Sequence, residues 1–147
     1  MHTVRIQDRP FSYGTESDSF AAAAGPAGAV VTFLGRVRDD GGRLSVMEIE
    51  HYPGMTERAV TAILDEAVTR WDLTAGLVIH RHGRIAPGEA IMMVATAARH
   101  RAEAFAAAEF LMDYLKSRAP FWKKEFGPDG AEWVAARDAD EQALDRW

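Results

Sequence analysis

The run from Ala102 to Arg118 constrains this chain more than any other segment. Five alanines, with Leu111, Met112 and Leu115, give it high intrinsic helix propensity. Pro120 disfavours helical geometry at Ala119 and so sets the end. Phe105, Ala108, Met112 and Leu115 fall on one stripe, the pattern of a single buried face. A straight helix of this length holds His100 and Lys116 about 24 Å apart along its axis. One small ligand cannot then touch both residues from within one chain.

Both ends of this helix are cationic. Arg99-His100-Arg101 precedes it, and Lys116-Ser117-Arg118-Ala119-Pro120-Phe121-Trp122-Lys123-Lys124-Glu125 closes it. Residues 99–124 carry a surplus of three positive charges, although the whole chain has a formal net charge of -5. A cationic island on an anionic protein suits a compact anion rather than general adhesion. The acidic balance also argues against a nucleic-acid binder that relies on broad phosphate neutralisation. No apolar run approaches the roughly 20 residues that would span a bilayer, and the first residues lack the apolar core of a signal peptide. A cytoplasmic location is expected.

The chain holds 147 residues, enough for one domain over 1–147 with a real core. It has no cysteine. Disulfides, thiolate metal sites and a protein-borne persulfide are therefore excluded, and any sulfur chemistry must draw on an external carrier.

Val4 to Ile6 suggests a short strand, and Ala29 to Leu34, bounded by Gly28 and Gly35, a buried one. Asp39 to Arg43 reads as a loop or hairpin tip. Met47, Ile49 and His51 alternate with Glu48, Glu50 and Tyr52, as in a half-buried strand. After Pro53-Gly54, the stretch Thr56 to Arg70 has the apolar spacing of an amphipathic helix, at Val60, Ile63, Leu64, Ala67, Val68 and Trp71. Leu77 to Ile85 and Ala90 to Ala97, around Pro87-Gly88, predict an antiparallel hairpin. A last short strand is expected at Glu132 to Ala136, before an acidic tail. Strands and helices without regular βαβ alternation indicate α+β.

Arg99-His100-Arg101 sits where a strand gives way to a helix N-terminus, whose backbone N–H groups already favour anions. A solvated turn is the plainer explanation, although cations are unfavourable to the helix dipole there. Lys116 lies near the helix C-terminus, where a cation is welcome on structural grounds alone. If Arg118, Lys123 and Lys124 converge on it, they would lower its pKa and make it a usable proton donor or acceptor. Arg36 and Arg38 share one face by alternation and could address one ligand, or be ordinary edge-strand charges. His51, His80 and His82 lack metal-ligand spacing, so no metal is expected. Gly25 to Gly28 lacks the Lys-Ser/Thr of a phosphate loop.

Several segments resemble the large, catalytic subunit of molybdopterin synthase. They are Gly28-Ala29-Val30-Val31-Thr32-Phe33, Gly35-Arg36-Val37-Arg38, Glu50-His51-Tyr52-Pro53-Gly54-Met55, His100-Arg101, Met112-Asp113-Tyr114-Leu115-Lys116, Arg118-Ala119-Pro120-Phe121-Trp122-Lys123 and Arg146-Trp147. They run in order along nearly the whole chain. The loop at Asp39 to Arg43 departs from the family pattern in being short.

The resemblance implies an α/β-hammerhead-like single domain with antiparallel sheet and two main helices. It implies a cytoplasmic sulfurtransferase of molybdenum cofactor biosynthesis. Its substrate would be cyclic pyranopterin monophosphate, and its sulfur donor the thiocarboxylated C-terminus of a small ubiquitin-like subunit of the MoaD type. It further implies a homodimer within a heterotetramer, catalytic roles for Lys116 and Lys123, and no resident cofactor. Substrate-binding roles carry over to Arg36, Val37, Arg38, His100, Arg101, Lys116, Lys123, Lys124, Glu125 and Arg137. A two-fold dimer would pair the His100-Arg101 end of one subunit with the Lys116 end of the other. Phe33, Met112, Pro120 and Phe121 could line the path of the donor tail, or simply pack in the core. The competing class is a non-catalytic adaptor whose lysines only dock an acidic partner.

Overall fold

The computed structural model describes residues 2–43, 45–134 and 138–147. Strands β1 (His2–Gln7), β2 (Ala29–Arg36), β4 (Ala75–Arg81) and β6 (Ala90–Ala98) form one sheet in the order β1-β4-β6-β2. Strands β3 (Val46–His51), β5 (Gly83–Ile85), β7 (Phe121–Gly127) and β8 (Gly130–Trp133) form a second, in the order β5-β3-β7-β8. Every pairing is antiparallel except β1 with β4. The helices are α1 (Tyr13–Ala22), α2 (Met55–Trp71), α3 (Arg101–Ser117) and the short α4 (Asp138–Ala143). The mixed α+β class and the two main helices match the sequence reading, with the antiparallel pairing divided between two sheets.

The first sheet is covered on both faces, which explains why all seven residues of β4 are buried. Leu77 and Ile79 meet Phe20 of α1 and Ala24 just beyond it, while Val78 joins Val60 and Leu64 of α2 and Phe110 and Leu111 of α3. The expected strand from Leu77 to Ile85 is broken at His82, just before Gly83, whose φ of 90° is open to glycine at little cost. There the chain leaves the first sheet and enters the second.

Two expectations shift in detail. The strand from Ala29 is an edge strand, because β2 pairs only with β6, and Val30 and Phe33 remain 40% and 41% exposed. The buried side of α3 is Ala104, Ala107, Ala108, Phe110, Leu111 and Leu115, while Phe105 is 61% exposed. Small alanines let α3 lie close to the sheet. Buried Thr96 of β6 donates its hydroxyl to the Ala104 carbonyl at 2.8 Å and holds the helix in that rotation.

The acidic tail is tied down rather than loose. Glu141 accepts from Arg118 at 2.7 Å, and Arg146 pairs with Glu109 and Asp113 of α3. The Trp147 indole donates to Asp113 at 2.6 Å and meets Trp71 and Phe110 edge-on.

Candidate functional site

A cleft of about 500 Å³ opens between the β2 edge, the inner face of the second sheet and the C-terminal end of α3. Each wall follows from local structure. Alternation along β7 turns Phe121, Lys123 and Glu125 inward, and Met47 faces them from β3. The C-terminal part of α3 brings Met112 and Lys116, Arg36 ends β2, and Arg38 follows two residues later.

Four cations thus line one cleft. The Arg36 guanidinium donates to the Gly88 carbonyl through Nε at 3.1 Å and through an Nη at 3.0 Å, which leaves further N–H donors for a ligand. Lys116 is exposed, whereas Lys123 is largely covered. Burial first, and then the nearby Lys116 charge, push the Lys123 amine down to about 8, with Asp140 and Glu125 partly opposing them. The depressed lysine is thus Lys123, with burial as the main cause and Lys116 as the one cation that contributes, rather than an effect of Arg118, Lys123 and Lys124 converging on Lys116. Such an amine can both hold and release a proton near neutrality.

The remaining predicted residues lie elsewhere. Val37 is only 2% exposed, and both its N–H, which donates to the Glu89 carbonyl, and its carbonyl, which accepts from the Gly88 N–H, are engaged within the chain. Lys124 points to the opposite face of β7, with its Nζ 5.6 Å from the Phe126 ring centroid and 5.2 Å from that of Trp133. His100 and Arg101 are exposed at the N-terminal end of α3, outside the cleft. Because α3 is one helix of 17 residues, its two ends lie about 24 Å apart. Arg137 falls outside the described residues.

Two cleft residues were not picked out from the sequence. Asp140, from α4, adds a carboxylate opposite the lysines. His80 of β4 is 5% exposed and stacks on Phe121, with centroids 3.8 Å apart and planes at 14°. Burial above all holds His80 at about 3, with the charges of Lys123, Lys116 and His82 acting in the same direction against its hydrogen bond to the Arg81 carbonyl. The available signal was an imidazole directly after the apolar run Leu77 to Ile79.

The described residues include no cluster of three His, Cys, Asp or Glu suited to a metal ion, and no helix among them is long and apolar enough to cross a membrane. The arrangement can bind an anion and move protons beside it.

The MoaE protein family model matches residues 6–118. A molybdopterin synthase catalytic subunit of Cereibacter sphaeroides is 68% identical over 144 residues, covering 98% of this chain and 99% of the relative. A solved molybdopterin biosynthesis MoaE protein from Burkholderia ambifaria is 49% identical and superposes with a TM-score of 0.85, over 100% of this chain and 98% of that one. Molybdopterin synthase from Staphylococcus aureus, at 28% identity, gives a TM-score of 0.80 over 89% of this chain and 96% of its own.

Proposed function

This chain belongs to the MoaE protein family, and from that premise we propose that it is the catalytic subunit of a molybdopterin synthase. It transfers sulfur from the thiocarboxylated terminus of a small ubiquitin-like subunit to cyclic pyranopterin monophosphate, in the cytoplasm. One observation carries this reading. A chain without cysteine gathers Arg36, Arg38, Lys116 and a desolvated Lys123 in a single cleft.

The arginines hold the phosphate as planar guanidinium forks and so position the pterin. The donor tail lies along Phe33, Met112 and Phe121 and presents its thiocarboxylate beside Lys116. As a carbon–sulfur bond to the pterin forms and a carbon–oxygen bond breaks, Lys116 and Lys123 stabilise the developing oxyanions and deliver the proton that the departing oxygen needs; water then cleaves the tail's acyl–sulfur bond, which leaves the sulfur on the pterin and the tail as a carboxylate. Each tail brings one sulfur, so two donor cycles complete the dithiolene.

The separation of the two ends of α3 supports a shared site. His100 and Arg101 of one subunit complete the anion cradle of a second copy, at the cleft that holds its Lys116 and Lys123.

The test is direct. The purified chain, mixed with a thiocarboxylated partner and the pyranopterin, should form dithiolene product, and Lys116→Ala should abolish turnover while partner binding persists. Full turnover in Lys116→Ala would remove that lysine from the mechanism. Loss of docking with the chemistry intact would favour the adaptor reading.

A further inference from the structure

The His80 imidazole is a buried polar group in the wall of the cleft that the mechanism above does not use. Its Nδ1 lies 2.8 Å from the Arg81 carbonyl. A carbonyl can only accept, so Nδ1 carries the proton and Nε2 keeps its lone pair. Nε2 is not among the buried polar atoms without a partner, and no bond to it is formed among the described residues, so it opens on the cleft that His80 lines. Phe121 stacked against the ring fixes its plane. Burial and the neighbouring cations keep the ring neutral throughout the physiological range.

The cations around it cannot do what this lone pair does. Arg36 and Arg38 from β2, Lys116 from α3 and Lys123 from β7 offer only donors. Glu125 of β7 and Asp140 of α4 are acceptors, but their charges bear on Lys123. A lone pair repels phosphate oxygens and accepts from an N–H, and a pterin ring carries N–H donors at its edge.

We propose that His80 is a substrate-specificity residue, whose bare Nε2 accepts a hydrogen bond from a ring or amino N–H of the pterin and so reads the heterocycle rather than its phosphate. This rests on the reading of the cleft as a pterin phosphate site. Two side chains at the wall thereby divide the ligand between them, Arg36 taking the anion and His80 the flat ring.

The experiment compares binding of cyclic pyranopterin monophosphate and of inorganic phosphate to the full chain by calorimetry. His80→Phe keeps a flat ring on Phe121 and removes the lone pair. It should weaken pterin binding roughly three- to tenfold, the worth of one neutral hydrogen bond, and leave phosphate binding unchanged. His80→Gln, whose carbonyl oxygen can stand near the place of Nε2, should recover part of the loss. In the assay the His80→Phe defect should fall on KM more than on kcat. Equal pterin affinity in wild type and a folded His80→Phe overturns the proposal, as does an equal loss of phosphate binding.

A variant-free measurement covers the case in which His80→Phe does not fold. The imidazole 15N resonances of the wild-type chain should show Nδ1 protonated and Nε2 bare, and the Nε2 resonance should move with the pterin but not with phosphate. A proton on Nε2, or an Nε2 resonance indifferent to bound pterin, overturns the assignment. Failure of the wild-type chain to bind the pterin at all would count instead against the function proposed for the cleft, and this inference would fall with it.

Discussion

The hydroxyl of buried Thr56 donates to the Pro120 carbonyl at 3.1 Å and accepts from the Tyr52 N–H at 2.9 Å. One side chain therefore joins the start of α2 to the start of β7, three residues before Lys123. Gly54, with φ of 84°, makes the turn that sets Thr56 in place, and its N–H donates to Glu57 at 2.5 Å. The segments His51-Tyr52-Pro53-Gly54-Met55-Thr56 and Ala119-Pro120-Phe121 thus form a single structural joint.

Thr56→Val keeps the shape of this joint but orphans a backbone donor and an acceptor, at a cost of about 1–3 kcal/mol. Chemical denaturation should show that loss, and turnover should fall as β7 loosens. Thr56→Ser should retain most of both. An unchanged denaturation midpoint in Thr56→Val would mean that water replaces the hydroxyl.

The Lys123 amine should titrate near pH 8, and isotope-labelled lysine side chains followed by NMR can show it. Below that pH the group is an ammonium, above it an amine. The Lys116 charge is one cause of the depression, so Lys116→Gln should move the titration to higher pH. A midpoint that stays in place would mean that burial alone sets it.

His80 gives the fold an acid-sensitive element. Its folded value of about 3 lies below the 6.5 of an exposed imidazole, so the unfolded chain binds the proton more readily. The stability from keeping this ring neutral is fully present above pH 6.5 and is lost as pH falls from 6.5 towards 3. The loss reaches roughly 3 kcal/mol by pH 4. His80→Phe cannot titrate, so the wild type should lose roughly 3 kcal/mol of unfolding free energy relative to this variant as pH is lowered from 7 to 4. Parallel curves would contradict the assignment.

What the sequence could show depended on how far each signal was local. The period of α2 and the alternation of β3 depend on near neighbours, and both elements appear within a residue or two of their expected ends. The break at His82 is different, because the short-range pattern of Leu77 to Ile85 gives no sign that its last residues belong to another sheet. Phe105 outranks alanine in hydrophobicity, yet the alanine face of α3 is buried because close packing on β6 favours small side chains. At the site, charge was the legible part: Arg36, Arg38, Lys116, Lys123 and Glu125 do share a cleft. Lys124 is adjacent in sequence but faces away, since neighbouring strand residues point to opposite sides. Asp140 lies some 24 residues past Lys116 in the chain, and only tertiary docking of α4 on α3 brings it near. His80 could be seen as polar beside the apolar run Leu77 to Ile79, but not as facing the cleft.

The length of α3 leads to a test in which two damaged proteins make one working site. His100 and Lys116 cap opposite ends of an unbroken helix, so a small ligand bound at Lys116 cannot reach His100 of the same chain. His100→Ala and Lys116→Ala chains should each be inactive alone. Mixed and allowed to exchange subunits, they form heterodimers with two clefts, one lacking both residues and one lacking neither. With random pairing half of the dimers are mixed, so activity should return to about a quarter of the wild-type level. If exchange is demonstrated by mass and activity stays absent, each cleft works with its own chain alone, and His100 acts elsewhere.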